Sequence, residues 1–351
     1  ATDAVASDDL GWHEPTTAPF ALNGFPWFAV DHIYRRMPVS PAHPLPEAVD
    51  GLANHTAGGQ IRFRTDARDI SVRVDLRGVA DMHHMPSTGQ CGFDCYVGAA
   101  GSQRYAGSSI YDQRKQSYQA RVFESSAREL RDVTLYFPLY QGVDTVWIGL
   151  DRDAALAPPQ PWRMSRPVVI YGTSITQGGC AARPGMAYTN ILSRRLQAEV
   201  INLGFSGSGR GEPEVARVIA GIPDPACLVL DFEANCQDVA LFESRLAPFI
   251  GILRAAHPTV PILVLPKPPY AWDPVRPTEI RSRDVRHAHA RKVVDELRTR
   301  GDSRVYFHDI AAALADTAYH EGTVDGAHPT DLGFQLLADA IEPGLRRALG
   351  L

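Results

Sequence analysis

The apolar pattern of this chain changes period once, at Ala157-Pro158-Pro159-Gln160-Pro161, and that change calls for two architectures in one polypeptide. Before it, from Gln60 to about Leu150, apolar and polar residues alternate in short runs. Examples are Ile61-Arg62-Phe63-Arg64, Ile70 to Leu76, Val133 to Phe137 and Val146 to Leu150. Successive strand side chains point to opposite faces, so each run buries one face. Turn residues separate the runs, as in antiparallel strands packed as a sandwich. After the prolines, unbroken apolar runs alternate with amphipathic stretches. Pro167 to Tyr171, Val200-Ile201, Ala226 to Leu230, Ile262 to Leu265 and Val305 to Phe307 read as strands buried on both faces. Met186 to Glu199, Val239 to His257, Asp284 to Arg300 and Asp331 to Leu349 read as helices. Such alternation produces an α/β fold with a doubly wound parallel sheet. The expected organisation is an N-terminal β-sandwich over 1–155, a stiff Pro-rich linker over 156–166 and an α/β domain over 167–351. At 351 residues the chain is long enough for two separate cores.

Ligands of a doubly wound sheet bind outside the carboxyl ends of its strands. Gly172-Thr173-Ser174-Ile175-Thr176 follows the first strand of the α/β half and puts Ser174 at that edge. Near the end of the chain, Asp325-Gly326-Ala327-His328-Pro329 offers a carboxylate and an imidazole three residues apart. A serine hydroxyl is a poor nucleophile until an imidazole takes its proton and a carboxylate orients the imidazole. Either segment alone marks an ordinary turn or a helix cap. Two more segments lie between them at strand ends, Asn202 to Gly207 and Asp231 to Asn235. Acyl transfer needs donors aimed at a developing oxyanion, and the Gly207 N–H and the Asn235 amide are suited to that task.

Together these four segments resemble the SGNH or GDSL-type hydrolases, whose blocks match here as Ser174, Gly207, Asn235 and His328 in the family's order. The first block has Gly-Thr-Ser-Ile for the full signature. In the third block, Glu233-Ala234-Asn235-Cys236 stands for the usual Gly-x-Asn-Asp, so the amide is kept and the following acid is lost. In the N-terminal half, Gly92-Phe93-Asp94-Cys95-Tyr96 resembles the Gly-x-Asp-Leu-Tyr motif of a sandwich domain that precedes the hydrolase domain in one subgroup. That sandwich is similar to a carbohydrate-binding module.

The resemblance implies a flavodoxin-like catalytic domain with a Ser174, His328, Asp325 triad. It also implies an oxyanion hole built from the Ser174 and Gly207 N–H groups and the Asn235 amide. No metal or organic cofactor is called for. The implied activity is an acyltransferase, moving an aromatic acyl group from a thioester, acyl-CoA among the candidates, to a hydroxyl of a small natural product. An esterase or carbohydrate deacetylase would use the same residues with water as acceptor. A reading of another class is a carbohydrate-binding protein with an inactive enzyme domain, which the intact Ser174, Asp325 and His328 argue against.

The remaining features narrow the partners. A formal charge of −5 and a pI near 6.2 give no electrostatic case for nucleic acid or an anionic membrane. No apolar run reaches transmembrane length, and Ala1-Thr2-Asp3-Ala4 lacks the start of a secretory signal. Five cysteines without metal-ligand spacing read as reduced thiols of a cytoplasmic protein. Adjacent His83 and His84 suit a loop better than a metal site, and His287 and His289 share no helix face. Arg281, Arg283, Arg286 and Arg291 read as a solvated helix face. Lys267-Pro268-Pro269-Tyr270-Ala271-Trp272 follows a strand and is expected to overhang the sheet edge of Ser174, with Tyr270 and Trp272 either an aromatic substrate wall or part of a packed surface loop.

Overall fold

A computed structural model describes residues 10–351. The start of the chain, on which the reading of a missing secretory signal rests, lies outside the described residues. By internal contacts the chain forms two compact units, each discontinuous in sequence. One comprises the residues up to Arg36 with 53–165 and 181–201. The other comprises 37–52, 166–180 and 202–351.

The first unit is an antiparallel sandwich. Its strands are β1 (Leu10–His13), β2 (Ala21–Asn23), β3 (Gln60–Thr65), β4 (Asp69–Leu76), β5 (Asp94–Val97), β6 (Arg104–Ser108), β7 (Ser117–Glu124), β8 (Arg131–Tyr136), β9 (Val143–Asp151) and β10 (Leu156–Ala157). One sheet runs β1-β9-β4-β7, the other β10-β3-β8-β5-β6, with β2 paired to β3. Alternation sets the layers: Ile70, Val72 and Val74 of β4 are fully buried, whereas Arg73 and Asp75 face out. Val72, Val74, Val146 and Ile148 of one sheet share a core cluster with Ile61, Phe63, Val133 and Leu135 of the other. The Asp94 motif has a physical role here. Its carboxylate is fully buried and accepts from Arg183 Nη1 at 3.0 Å and Gly185 N at 2.8 Å. Burial pushes the acid up to about 6, against the pull of Arg183. Arg183 also donates to the Tyr96 hydroxyl at 2.6 Å, and the Arg194 guanidinium lies 4.0 Å over the Tyr96 ring. The motif therefore fastens the 181–201 segment to the sandwich. Cys95, standing where the motif has leucine, is fully buried among apolar neighbours.

A further sheet of order β12-β11-β13-β14-β15 is formed by β11 (Met164–Gly172), β12 (Ala198–Gly204), β13 (Cys227–Asp231), β14 (Ile262–Val264) and β15 (Val305–Phe307), and it belongs to the second unit except for the first residues of β11 and β12. Its strands are parallel, and their apolar runs are buried, as a sheet covered on both faces requires. The helix Pro213–Ala220 packs on Val239–Ala256, which packs on Pro277–Thr299, while Asp331–Leu349 packs against β14. This is the doubly wound α/β arrangement.

Two local expectations need correction. The helix expected over Met186 to Glu199 spans only Tyr188–Leu196, because Gln197 turns left-handed at φ 54° and Ala198 already begins β12. The helix expected from Asp284 starts at Pro277, whose fixed φ and missing N–H suit a first helical turn. His83 and His84 sit in a turn with their rings stacked at 4.5 Å. All five cysteines are buried and unbridged. Among the described residues, no helix is long and apolar enough to cross a membrane.

Candidate active site

Strand β11 ends at Gly172, where no larger residue fits: a Cβ there would lie 2.0 Å from Thr176 Oγ1 and 2.7 Å from the Asp231 carbonyl oxygen. Thr173 caps the short helix Ser174–Gln177, its hydroxyl accepting from Ile175 N at 3.3 Å. Ser174 is thus the first helical residue, at the positive end of the turn, and its side chain is largely buried. Neighbouring strands hold this helix from both sides. Asn202 donates to Thr176 O at 2.7 Å and accepts from Gly204 N at 2.9 Å. Gln177 accepts from Ser206 N at 3.0 Å, and Thr176 donates to Asp231 Oδ2 at 3.0 Å.

Ser174 Oγ lies 2.9 Å from His328 Nε2, and His328 Nδ1 lies 2.6 Å from Asp325 Oδ2. Asp325 accepts only, so Nδ1 carries the proton and Nε2 presents a lone pair to the serine hydroxyl. The other Asp325 oxygen accepts from His328 N at 2.8 Å and Ala327 N at 3.0 Å. Partial burial pushes the Asp325 carboxyl up. The His328 backbone and ring and the Ala327 N–H outweigh that effect and hold it at about 2. Both ring nitrogens of His328 are engaged within this relay. The loop itself is pinned. Val324 N donates to His328 O at 2.9 Å, Thr330 N to Gly322 O at 2.8 Å and Cys180 N to Pro329 O at 2.8 Å.

Gly207 adopts φ 67°, and a Cβ there would meet nothing within 4 Å, so its backbone borders open space. Its N–H has no hydrogen-bond partner among the described residues. In one amide orientation Asn235 Nδ2 donates to Phe205 O at 3.3 Å. In the other, Oδ1 accepts from Ser208 N and Gly209 N, both at 3.2 Å. The second satisfies two donors in place of one acceptor and keeps the amide nitrogen as a donor. The turn Glu233–Asn235 that carries this amide is fixed by Glu233, which is almost wholly buried. Its oxygens accept from Arg286 Nε at 3.1 Å and Lys267 N at 3.0 Å, with His287 Nε2 3.2 Å away. Arg286 is itself 5% exposed, which overturns its reading as part of a solvated helix face. The following Cys236, in place of the usual acid, is buried near the Arg210 carbonyl, and burial pushes its thiol up to about 12.

Tyr270 and Trp272 sit edge to face at 5.2 Å. Each is tied into its own loop: Tyr270 N donates to Asp273 Oδ2 at 2.9 Å and Trp272 Nε1 to Glu279 Oε2 at 3.1 Å. Lys267 Nζ lies 3.2 Å from the Tyr270 ring centre. Ala271 N donates to Gly326 O at 2.8 Å, and the Trp272 ring lies against Gly326. The aromatic pair therefore braces the loop between Asp325 and His328. The residues missed by sequence reasoning are the braces, Thr176, Gln177, Glu233 and Arg286. Their partners lie far away in the chain, so no local pattern marks them.

This arrangement can deprotonate a serine hydroxyl. A protein from Bacteroides ovatus named as a GDSL-like lipase is 28% identical, with 97% of this chain and 98% of that chain covered at a TM-score of 0.88. The salicylyl-acyltransferase SsfX3 from a tetracycline biosynthetic pathway is 20% identical, with 99% of each chain covered and a TM-score of 0.78. The acetyl xylan esterase Est2A from the rumen bacterium Butyrivibrio proteoclasticus is 13% identical, covering 97% of this chain and 100% of that chain at 0.60. The last two likenesses speak for the fold alone. No curated protein matches the chain. Residues 10–156 match the N-terminal domain of SGNH-hydrolase-type esterases, the Gly-x-Asp-Leu-Tyr domain. Residues 165–346, more than half of the sequence, match the GDSL-like lipase/acylhydrolase family, and the chain belongs to that family.

Proposed function

We propose that the chain moves an acyl group from an ester or thioester to a hydroxyl acceptor through an acyl-Ser174 intermediate. His328 Nε2 takes the Ser174 proton as Oγ attacks the carbonyl carbon, and Asp325 stabilises the imidazolium that forms. The Ser174 and Gly207 N–H groups and the Asn235 amide donate to the oxyanion. Collapse expels the alcohol or thiol, which leaves with the proton from His328. An acceptor hydroxyl then gives its proton to His328 and attacks the acyl carbonyl, and collapse breaks the acyl–Oγ bond as His328 returns the proton to Ser174. The observation that carries this reading is the relay of 2.9 and 2.6 Å from Ser174 through His328 to Asp325.

A small-molecule alcohol as acceptor and an aromatic acyl thioester, acyl-CoA included, as donor is the reading that a salicylyl-acyltransferase of the same two-part length supports. Water as acceptor is the second reading, favoured by one observation. The His328 and Asp325 side chains are 29% and 37% exposed, so solvent reaches the base. Under it the substrate is a small or carbohydrate ester. The unbridged, buried cysteines support residence in a reducing compartment. The test is intact-protein mass spectrometry after incubation with a panel of acyl thioesters and aryl esters. An adduct on Ser174 that is absent in Ser174→Ala, and that is discharged faster by an added alcohol than by water, supports transfer. Discharge unaffected by alcohols assigns water, and an adduct formed equally in Ser174→Ala overturns the mechanism.

A further inference from the structure

We propose that the sandwich binds a neutral carbohydrate in a cleft beside Trp147, between β9 and the segment that follows β1. The cleft has a volume of about 390 Å³ and is lined by Asp144, Thr145 and Trp147 of β9 and by Glu14, Phe28 and His32 of the segment after β1. Small-molecule sites run from roughly 300 to 1,000 Å³, so one sugar ring with its neighbour is a fitting occupant.

Three observations narrow the ligand chemistry. The first is a fixed aromatic face. Trp147 alternates with Val146 and Ile148, which fill the core, so the strand register turns its indole outward, where it stays 39% exposed. The ring of Trp12 covers Gly149 on the same strand, close enough that a Cβ there would lie 2.8 Å from it. Arg73 is opposite Trp147 in register, and its guanidinium lies 4.1 Å from the Trp12 ring centre. Gln119 holds Arg73 with bonds of 3.2 and 3.1 Å, so this surface is braced before any ligand arrives.

The second observation is the rim. Glu14, Asp144, Thr145 and His32 together supply acceptors and donors around an apolar floor. A pyranose ring has an apolar C–H face and hydroxyls that both donate and accept, and it matches that arrangement. The third is charge. Asp144 is paired with Arg77 at 2.8 Å, which neutralises it, and Glu14 leaves the lining acidic. An acidic rim disfavours phosphates, sulfates and uronic acids, which leaves an uncharged glycan.

The site is independent of Ser174 chemistry, and its test is arranged to keep the two apart. The full-length Ser174→Ala protein, which cannot turn over an acylated sugar, is titrated calorimetrically with cellohexaose, xylohexaose and mannohexaose. Binding of at least one hexasaccharide is expected. Trp147→Ala should weaken it about tenfold, the loss of one aromatic face, while Trp147→Phe stays within about threefold. The melting temperature of Trp147→Ala should stay within about 2 °C of the parent, because the indole is on the surface. Trp272→Ala, at the other unit's serine loop, should bind as the parent does. No heat with any of the three glycans overturns the proposal. So does unchanged affinity in Trp147→Ala, or a loss confined to Trp272→Ala, which would move the glycan to the serine site.

Discussion

Arg286 Nε and Glu233 Oε1 lie 3.1 Å apart, with side chains 6% and 1% exposed, although 53 residues of chain separate them. The pair ties the middle of the helix Pro277–Thr299 to the turn that carries Asn235. Arg286 also donates to Gln237 O at 2.9 Å and Ser282 Oγ at 2.7 Å, so its guanidinium bridges both ends of that turn. Removing one partner of a buried pair strands the other charge. Arg286→Met should therefore destabilise the protein by about 3–5 kcal/mol. Glu233→Gln combined with Arg286→Met should recover part of that loss, since no bare carboxylate is left. Urea denaturation of the single and double variants measures both values.

At the serine itself, Ser174→Ala should fold as the parent does and lose turnover by orders of magnitude, with a residual rate from oxyanion binding alone. The same melting curve with comparable turnover would remove Ser174 from the mechanism.

Asn235→Ala should lower kcat by about a hundred- to a thousandfold while KM stays nearly constant, the signature of a donor used only in the transition state. Steady-state kinetics on an aryl ester separates the outcomes. A raised KM with kcat intact would make the amide a substrate-binding group.

The layers of both halves were legible because burial writes its period into the chain. Ile70, Val72 and Val74 alternate with Arg73 and Asp75, whereas Val168, Val169 and Ile170 run unbroken. Ser174, Asn235 and His328 were visible because each follows an apolar run or a turn signal at a strand end. The supports were not visible. An ion pair such as Glu233–Arg286 joins distant segments and leaves no local pattern, and a helix rich in arginine looks solvated until a buried acid is found opposite it. The early end of the helix Tyr188–Leu196 was hidden for a related reason. Its left-handed cap is Gln197, where a glycine would have flagged the stop.

Asp325 gives a prediction with a defined pH window. Its carboxyl is held at about 2, below its ordinary 3.8, because ionisation is favoured in the folded state. A depressed carboxyl contributes stability that is complete above its unfolded pKa and fades as pH falls towards the folded one. The destabilisation caused by Asp325→Asn should thus be constant from about pH 7 to pH 5 and shrink between about pH 4 and pH 2. Thermal melts of the two proteins across that range test it. Activity should behave differently. Asp325 stays ionised at about pH 4 to 5, so any acidic limb of kcat in that interval must come from another group.

The position between the acid and the imidazole is the most exacting in the loop. Gly326 adopts φ +89°, and a Cβ there would lie 2.4 Å from Trp272 Cε3 and 2.6 Å from Cζ3. An alanine meets two separate obstacles, a backbone conformation costing about 1–2 kcal/mol for an L-residue and a clash with a large ring. The ring cannot swing away without breaking its 3.1 Å bond to Glu279, so the loop must move, and with it Asp325 and His328. Gly326→Ala should lower both melting temperature and kcat, with KM little changed because the loss lies in the geometry of proton transfer. Adding Trp272→Ala removes the clash but not the backbone strain, so the double variant should regain part of kcat and not all of it. Trp272→Ala alone tests the aromatic wall expected from sequence. If the ring only braces Gly326, kcat falls modestly and the ratio of hydrolysis to transfer is unchanged. If it also shields the acyl carbonyl, that ratio rises at fixed alcohol concentration. Product partitioning of the three variants, measured beside their melts, distinguishes a brace from a wall.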